Sequence, residues 1–310
     1  MHLVYYFLLM FSLPFTALSQ ITRSGKVERG DCSLYYNIVG TNGQYVIVLG
    51  GGPGSEVNYM QPIADSLSGN FQCIMLEQRG TGRSTLKKYD STTVSLERYI
   101  NDIDALSDHL KTGKVILAGN SWGSMLALLY AKKFPQKVQA ILSFGFGILS
   151  EKYAAIASDN FKIRLTAEEK ETRKFWKEKM KDSASFVQAN YERDKAGMPA
   201  YYYNREIAMN AAKALKPSDF NYYLMDEFFQ VNQDIDLRNG LNRITAPVLF
   251  IQGRQDVAGE ENIIETHRLV KKSELHFLER CGHFPWEERS EETWKIVYDF
   301  LNRRHISAND

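Results

Sequence analysis

The chain has 310 residues, of which 44% are hydrophobic and 24% are charged, a mixture typical of a globular protein with a sizeable core. Its formal net charge of +1 supplies neither a basic surface for a phosphate backbone nor an acidic excess, so we do not expect nucleic acid as a partner. The balance favours a small substrate that is uncharged or zwitterionic.

The chain begins with an apolar segment. Leu3 to Phe15 is almost wholly apolar and too short to span a bilayer as a stable helix, which is typical of the core of a signal peptide. Small residues follow at 17–19, so we predict a signal peptide over residues 1–19, cleavage before Gln20, and a mature protein exported to the periplasm or secreted. Because no Lys or Arg precedes the apolar core, an uncleaved membrane anchor stays open as the alternative.

Alternating strands and helices predict a parallel sheet in the first part of the mature chain. Residues 25–39 alternate in polarity around the turn signal at 29–31, which predicts a hairpin. Short β-branched runs that end in glycine or a polar residue then alternate with helical periodicity. The predicted strands lie at 45–49, 73–76, 115–118 and 138–144, and the predicted helices lie at 96–110 and 125–134.

The strand pattern disappears after residue 144 and returns after Pro247. The interval is rich in Lys, Glu, Tyr and Phe at helical spacing, which predicts a helical cap inserted at 148–237. Strands at 248–252 and 274–278 and helices at 263–270 and 294–301 complete the chain. We therefore predict an α/β fold with a mostly parallel central sheet flanked by helices, formed by residues 20–147 and 238–310.

A G-x-S-x-G motif at 119–123 lies where a predicted strand ends and a predicted helix begins. On so tight a turn the serine hydroxyl points away from both elements, and the two glycines remove side chains that would collide. Ser121 is therefore the candidate nucleophile.

A serine nucleophile needs a base within hydrogen-bond reach, and imidazole is the usual one. His283 is the one histidine of the sequence predicted in a loop after a strand, within the glycine-containing segment 280–285. The other histidines are predicted in the signal peptide, helices, a strand or the polar tail: His2, His109, His267, His276 and His305. His283 is therefore the candidate base.

The imidazole in turn needs a buried carboxylate that fixes its tautomer and stabilises its charged form. Asp256 follows the predicted strand at 248–252, and the chain order Ser, Asp, His is that of α/β-hydrolases. Asp234 and Asp236 are weaker candidates because no strand directly precedes them. The expected triad is Ser121, Asp256 and His283.

The negative oxygen formed during attack on a carbonyl needs fixed donors. The Trp122 backbone N–H should be one donor, and the glycine loop at 50–54 should supply the other. A phosphate cradle is the weaker interpretation of this loop, because Gly54 is not followed by the Lys-Ser/Thr of a P-loop.

The sequence contains three cysteines, and their odd number and scatter predict neither a disulfide framework nor a metal site. Cys281 lies beside His283, where we expect a packed residue rather than a nucleophile.

The segments at 50–54, 77–84, 120–124, 253–257 and 281–283 together resemble the motif set of the proline iminopeptidase family, serine peptidase family S33 of the α/β-hydrolase superfamily. The resemblance covers most of the predicted sheet domain and is thin within the cap. It implies an exopeptidase that releases an unblocked N-terminal residue, often proline, from short peptides through an acyl-enzyme. It implies no metal and no organic cofactor.

The resemblance also assigns substrate contacts. Gly52 matches the oxyanion donor of the glycine loop, and Glu227 is matched by position to an acid that holds the substrate's ammonium group. The expected partner is therefore a small peptide with a free N-terminus. Gly50 and Glu77 depart from the family pattern, which usually has His and Asp at these positions, and we expect these departures to change how the loop is held.

Two other functions stay open at this point. A carboxylesterase or lactonase would use the same triad on uncharged acyl substrates, and the amine-binding acid separates it from a peptidase. A binding module on an inactive hydrolase scaffold would show a broken triad, whereas all three members are present. Ser121 argues against dehalogenases and epoxide hydrolases, which have aspartate at the nucleophile position.

Overall fold

The computed structural model describes residues 21–233 and 235–307, so the predicted signal peptide, Gln20 and Asp234 lie outside the described residues. Eight strands form one sheet in the described part of the chain. The strands are β1 (Ile21–Glu28), β2 (Ser33–Val39), β3 (Tyr45–Leu49), β4 (Gln72–Leu76), β5 (Val115–Ser121), β6 (Val138–Phe146), β7 (Val248–Gly253) and β8 (Ser273–Leu278).

The strands are arranged in the order β1-β2-β4-β3-β5-β6-β7-β8. β2 runs antiparallel to both β1 and β4, and each of the remaining neighbouring pairs is parallel. The predicted class, a mostly parallel central sheet flanked by helices, is confirmed.

Helices cover both faces of the sheet, and α4 to α8 all lie between β6 and β7, in the region predicted as a cap. The bounds 148–237 of that cap stay a prediction. None of the helices between residues 21 and 307, Asp234 left aside, is long and apolar enough to cross a membrane. The helices are α1 (Gln61–Leu67), α2 (Leu96–Leu110), α3 (Trp122–Lys133), α4 (Glu151–Ile163), α5 (Ala167–Lys179), α6 (Phe186–Gly197), α7 (Arg205–Ala214), α8 (Tyr222–Val231), α9 (Glu260–Leu269), α10 (Pro285–Glu288) and α11 (Ser290–Arg303).

The core consists of two apolar layers separated by the sheet. In β3, Ile47 and Leu49 pack in the layer that also contains side chains of α2, α3 and α9, whereas Val46 and Val48 pack in the layer that contains α1 and α11. This division follows from the period of two along a strand, and burial on both faces explains why the central strands are continuous apolar runs.

The parallel direction of the strands determines where the site forms. The glycine loop follows β3, Ser121 ends β5, Asp256 follows β7 and His283 follows β8. Because carboxyl ends of parallel strands lie at the same edge of a sheet, these residues are brought to one edge from distant parts of the sequence.

A buried ion pair anchors the loop that follows β4. Arg79 is fully buried, and its Nε and Nη2 donate to Asp102 at 2.6 and 2.8 Å. Its Nη1 donates to the Asp31 carboxylate at 2.8 Å and to the Thr93 carbonyl at 2.6 Å. The Nε of Arg29 also donates to Asp102 at 3.1 Å. The planar guanidinium thus fixes this loop against the first turns of α2 with paired, charge-assisted bonds.

Arg79→Met should lower the free energy of unfolding by about 3–5 kcal/mol, because Asp102 would stay buried with Arg29 as its remaining cationic contact. Burial already raises the pKa of the Asp102 carboxyl against the opposing effect of Arg79, so loss of Arg79 should raise this pKa further. An acid with a raised folded-state pKa destabilises the folded protein above that pKa. The deficit should therefore shrink as the pH falls.

Urea unfolding at two pH values measures both effects. Lys295→Met is the control, because Lys295 forms an exposed ion pair with Asp299 one helical turn away and its loss should leave the urea midpoint unchanged. Equal shifts of the midpoint in the two variants would contradict the anchoring role of Arg79.

Candidate active site

The turn that carries Ser121 requires glycine on both sides. Ser121 has φ 53° and ψ −120°, a conformation that is rare for a residue with a side chain, and α3 begins at the next residue. A Cβ on Gly119 would lie 2.5 Å from the backbone of Gly123, and a Cβ on Gly123 would lie 2.0 Å from the Leu49 carbonyl oxygen. The local sequence therefore permits the sharp strand-to-helix turn that presents the Ser121 hydroxyl.

The structure brings Asp256 and His283 into direct contact. The Nδ1 of His283 lies 2.7 Å from the Oδ2 of Asp256, and the side chains are only 7% and 1% exposed. When Nδ1 of a neutral imidazole donates to a carboxylate, Nε2 is left as an acceptor. The pair has the geometry of a base and the acid that orients it.

Further donors fix the Asp256 carboxylate. Gln252 Nε2 donates to Oδ2 at 2.7 Å, and the backbone N–H of Ala258 donates to Oδ1 at 2.9 Å. The Gln252 amide is itself held, because its Oε1 accepts from the Phe146 backbone N–H at 2.8 Å. These bonds fix the direction in which the carboxylate faces His283.

The loop that carries His283 (residues 279–284, the histidine loop) is bonded to the segment between α6 and α7. The His283 backbone N–H donates to the Tyr201 carbonyl at 2.7 Å. The Glu288 carboxylate accepts from Gly282 at 2.6 Å through one oxygen and from the backbone N–H groups of 203–204 through the other. Burial raises the pKa of Glu288 although these donors oppose the shift. Glu288 thus connects the histidine loop with the helical insertion.

A second network of hydrogen bonds joins the turn at residues 119–123 (the serine turn) to the histidine loop. Asn120 Nδ2 donates to the carbonyl oxygens of Phe144 at 2.8 Å and His283 at 3.3 Å, and its Oδ1 accepts from the Tyr59 hydroxyl at 2.8 Å. The residue directly before Ser121 is therefore bonded to the backbone of the candidate base.

The glycine loop lies against the serine turn. A Cβ on Gly51 would lie 3.2 Å from the Ser121 Cβ. The Gly51 N–H donates to the Tyr59 hydroxyl at 2.5 Å, so the next amide, that of Gly52, is the candidate oxyanion donor of the loop. Trp122 is the first residue of α3 and its N–H has no acceptor within the helix, as an oxyanion donor requires.

Glu227 lies on α8, which packs against both candidate oxyanion segments. The Phe228 ring contacts the Trp122 ring at a centroid distance of 4.9 Å, and a Cβ on Gly54 would lie 2.6 Å from Met225. Glu227 is half-buried, and no residue in 21–233 or 235–307 forms an ion pair or a side-chain hydrogen bond with it. Its carboxylate is available to a cation.

The weaker sequence candidates lie elsewhere or are chemically unsuited. Asp236 is exposed and paired with Arg238 at 2.6 Å, and Asp234 lies outside the described residues. Cys281 is fully buried, and burial raises the pKa of its thiol well above the usual range, which disfavours a thiolate nucleophile. The described histidines other than His283 lie at the end of α2, in α9, in β8 and after α11: His109, His267, His276 and His305.

A cavity of about 320 Å³ adjoins the glycine loop, but neither Ser121 nor His283 lines it. Glu56 contributes a half-buried carboxyl whose pKa is raised by burial and by the nearby Asp219 and Glu77. The other lining residues come from the loops after β3 and β4 and from the helical insertion: Gly54, Gly80, Gly82, Thr85, Val187, Ser218, Phe220, Asn221, Tyr222 and Tyr223. A second acid close to the glycine loop thus faces a space that a small group could enter.

Sequence reasoning missed the side chains that hold the catalytic loops, among them Gln252, Tyr59 and Glu288. One signal was present: Gln252 is a polar residue at the end of an apolar strand, and such a buried amide needs partners.

Glu77, which departs from the family pattern, has a local partner. Its carboxylate accepts from the Arg83 backbone N–H at 2.6 Å and pairs with the Arg83 guanidinium.

The chain resembles known proteins over most of its length. The family described as the α/β hydrolase fold matches residues 44–290. The proline iminopeptidase of Heyndrickxia coagulans is 28% identical over 84% of this chain and 91% of that protein. The solved structure of a Mycobacterium smegmatis proline iminopeptidase superposes with a TM-score of 0.67 at 20% identity, covering 91% of this chain and 98% of that one. Est816, described as an N-acyl homoserine lactone degrading enzyme, superposes with a TM-score of 0.63 at 22% identity, covering 89% and 100%.

The resemblance to proline iminopeptidases, inferred from the motifs, is confirmed by the Heyndrickxia coagulans relative. Solved structures at such low identity show the fold alone.

Asp256→Asn should lower kcat by about 10⁴-fold, because an amide at this position would hold the wrong tautomer of His283. The measurement is Ser121-dependent hydrolysis of an activated ester. Asp236→Asn is the matched control and should keep kcat within about twofold, because Asp236 is exposed and forms a surface ion pair with its neighbour Arg238. A similar loss of kcat in both variants would rule out Asp256 as the orienting acid.

Proposed function

The chain belongs to the α/β-hydrolase fold family, and from that membership we propose that it is a serine hydrolase that releases the N-terminal residue, often proline, from short peptides. The observation that carries the hydrolytic part is the 2.7 Å contact between His283 and Asp256, beside the turn that presents Ser121. We also propose that the protein is exported from the cytoplasm. N-terminal sequencing of the protein isolated from its host tests this: a chain that begins at Gln20 supports signal-peptide cleavage, and one that begins at Met1 contradicts it.

In the proposed mechanism His283 accepts the Ser121 proton as the hydroxyl oxygen attacks the scissile carbonyl carbon. Asp256 stabilises the imidazolium that forms. The N–H groups of Gly52 and Trp122 stabilise the negative oxygen of the tetrahedral intermediate. His283 then protonates the leaving amine. In the second half of the reaction, His283 accepts a proton from the water that attacks the acyl-enzyme. It then returns a proton to the Ser121 oxygen as the carboxylic acid product leaves.

Selectivity for a free amine is supported by two separate observations. The proline iminopeptidase of Heyndrickxia coagulans is similar to this chain over most of both sequences. Glu227 is a half-buried acid without a cationic partner in the described part of the chain, and it lies on the helix that packs against Trp122 and Gly54. A carboxylate in that position would attract an ammonium group and leave an acylated nitrogen unpaired.

We expect the protein to hydrolyse an amide with a free N-terminal proline and to leave the same amide intact when its proline nitrogen is acetylated. The physical reason is that only the free nitrogen carries the charge that a cap carboxylate recognises. Release of the amine leaving group from both compounds is the measurement, with Ser121→Ala as the control that defines background.

If neither amide is hydrolysed but a simple ester is hydrolysed in a Ser121-dependent way, the assignment as a serine hydrolase stands and the assignment as a peptidase is wrong. That result would favour the carboxylesterase or lactonase alternative, whose substrates carry no ammonium group.

Glu227→Gln should raise the KM for free-amine substrates while sparing simple esters, because it removes a charge without changing the length of the side chain. Asp226→Asn is the neighbouring control on α8: Asp226 is exposed and accepts a bond from Gln230, so this change should leave both substrates unaffected. Equal losses on amines and esters in Glu227→Gln would contradict the amine-binding role. An increase in KM seen with Glu56→Gln and absent from Glu227→Gln would assign the ammonium to the cavity beside Gly54 instead.

A further inference from the structure

The side chain of Gln78 lies between the two segments that carry the candidate oxyanion donors. Gln78 is buried, its Nε2 donates to the Gly50 carbonyl at 2.9 Å, and its Oε1 accepts from the Trp122 indole Nε1 at 2.9 Å. The orientation of the amide follows from its partners, because an indole N–H can only donate and a carbonyl oxygen can only accept.

Gln78 is itself held in place. Its carbonyl oxygen accepts from the backbone N–H of Thr81 at 2.9 Å and from the Thr81 hydroxyl at 2.7 Å. The next residue, Arg79, is fixed by the buried pair with Asp102. The side chain therefore extends from an anchored loop and is not free to follow its partners.

Each partner is close to a donor. Gly50 precedes Gly52 by two residues in the glycine loop, and the Trp122 side chain belongs to the residue whose N–H follows Ser121. We infer that Gln78 is a positioning residue that sets the separation and direction of the two oxyanion donors. The inference rests on the proposed hydrolytic function, since it concerns the same oxyanion.

Because packing also holds the Trp122 ring, the positioning role of Gln78 can be tested separately from an effect on stability. The indole ring contacts Phe228 at 4.9 Å and Tyr99 at 5.6 Å between centroids. These contacts should keep the ring in the core when the bond to Gln78 is lost. What the Gln78 amide adds is the direct connection from that ring to the Gly50 carbonyl.

Gln78→Met keeps the length of the side chain and removes both hydrogen bonds. We expect kcat to fall about ten- to hundredfold with KM within about twofold, because misplaced oxyanion donors weaken the transition state more than the bound substrate. The inhibition constant of a boronic acid, which forms a tetrahedral anion on Ser121, should rise by the same factor. Gln72→Met is the matched control, since Gln72 is at the opposite end of β4 and donates to the Gly43 carbonyl at 3.1 Å.

Gln78→Glu adds a signature that loss of stability alone would not produce. An ionised glutamate can accept from the Trp122 indole but repels the Gly50 carbonyl, whereas a protonated glutamate can donate to Gly50 and accept from Trp122. The ratio of kcat/KM between this variant and the wild type should therefore rise from about pH 8 to about pH 5.5. The same ratio for Gln78→Met should stay flat.

The rate of Ser121 labelling by a fluorophosphonate separates failure of this inference from failure of the proposed function. If the wild type turns over no substrate but labels at Ser121, slower labelling of Gln78→Met still supports the positioning role. A wild type that neither turns over ester nor labels would overturn both. If the Gln78 variants keep the kcat, boronate inhibition constant and labelling rate of the wild type, the inference is overturned and the proposed function stands. Losses that only match a smaller fraction of folded protein would overturn it in the same way.

Discussion

The site depends on one close approach between two stretches of backbone. The first turn of α3 lies against the end of β3 so closely that a Cβ on Gly123 would come within 2.0 Å of the Leu49 carbonyl oxygen. The glycine loop begins directly after Leu49, and the serine turn ends directly before Gly123. Contact between these two elements therefore places Gly51 against Ser121, so that the candidate nucleophile and the candidate oxyanion donors could act on one carbonyl.

Buried or half-buried side chains then hold each candidate catalytic loop by bonding to backbone groups elsewhere in the site. Asn120 bonds to the carbonyl of His283, Gln252 joins Asp256 to the backbone of Phe146, and Glu288 accepts from the loop before His283. A buried backbone group has few alternatives to such a partner, because losing it costs the full desolvation of the group. The candidate donors and the candidate base are thus held in place by the protein itself, which is what electrostatic preorganisation requires.

The sequence allowed the frame and the candidate triad to be predicted, because both depend on local patterns. The run at 45–49 is a strand with the predicted bounds, and Ser121 stands in a motif whose flanking strand and helix could be recognised. Helix α1 was not predicted, since it has seven residues and Pro62 in its first turn, too few positions for a clear helical period. The roles of Gln252 and Gln78 could not be assigned from their neighbours in sequence. Their partners Gly50, Trp122 and Phe146 lie 28 to 106 residues away and meet them only after the sheet has formed.

The helical insertion and the oxyanion loop are not independent parts of the molecule. The backbone N–H of Asn221 donates to the Gly54 carbonyl at 2.9 Å, and the backbone N–H of Glu56 donates to the Asp219 carbonyl at 2.9 Å. Asn221 also caps α8, the helix that carries Glu227. A shift of this helix on binding a substrate ammonium would therefore be transmitted to the loop that presents Gly52. In the proposed peptidase, recognition of the substrate N-terminus and stabilisation of the oxyanion would therefore be coupled through these bonds.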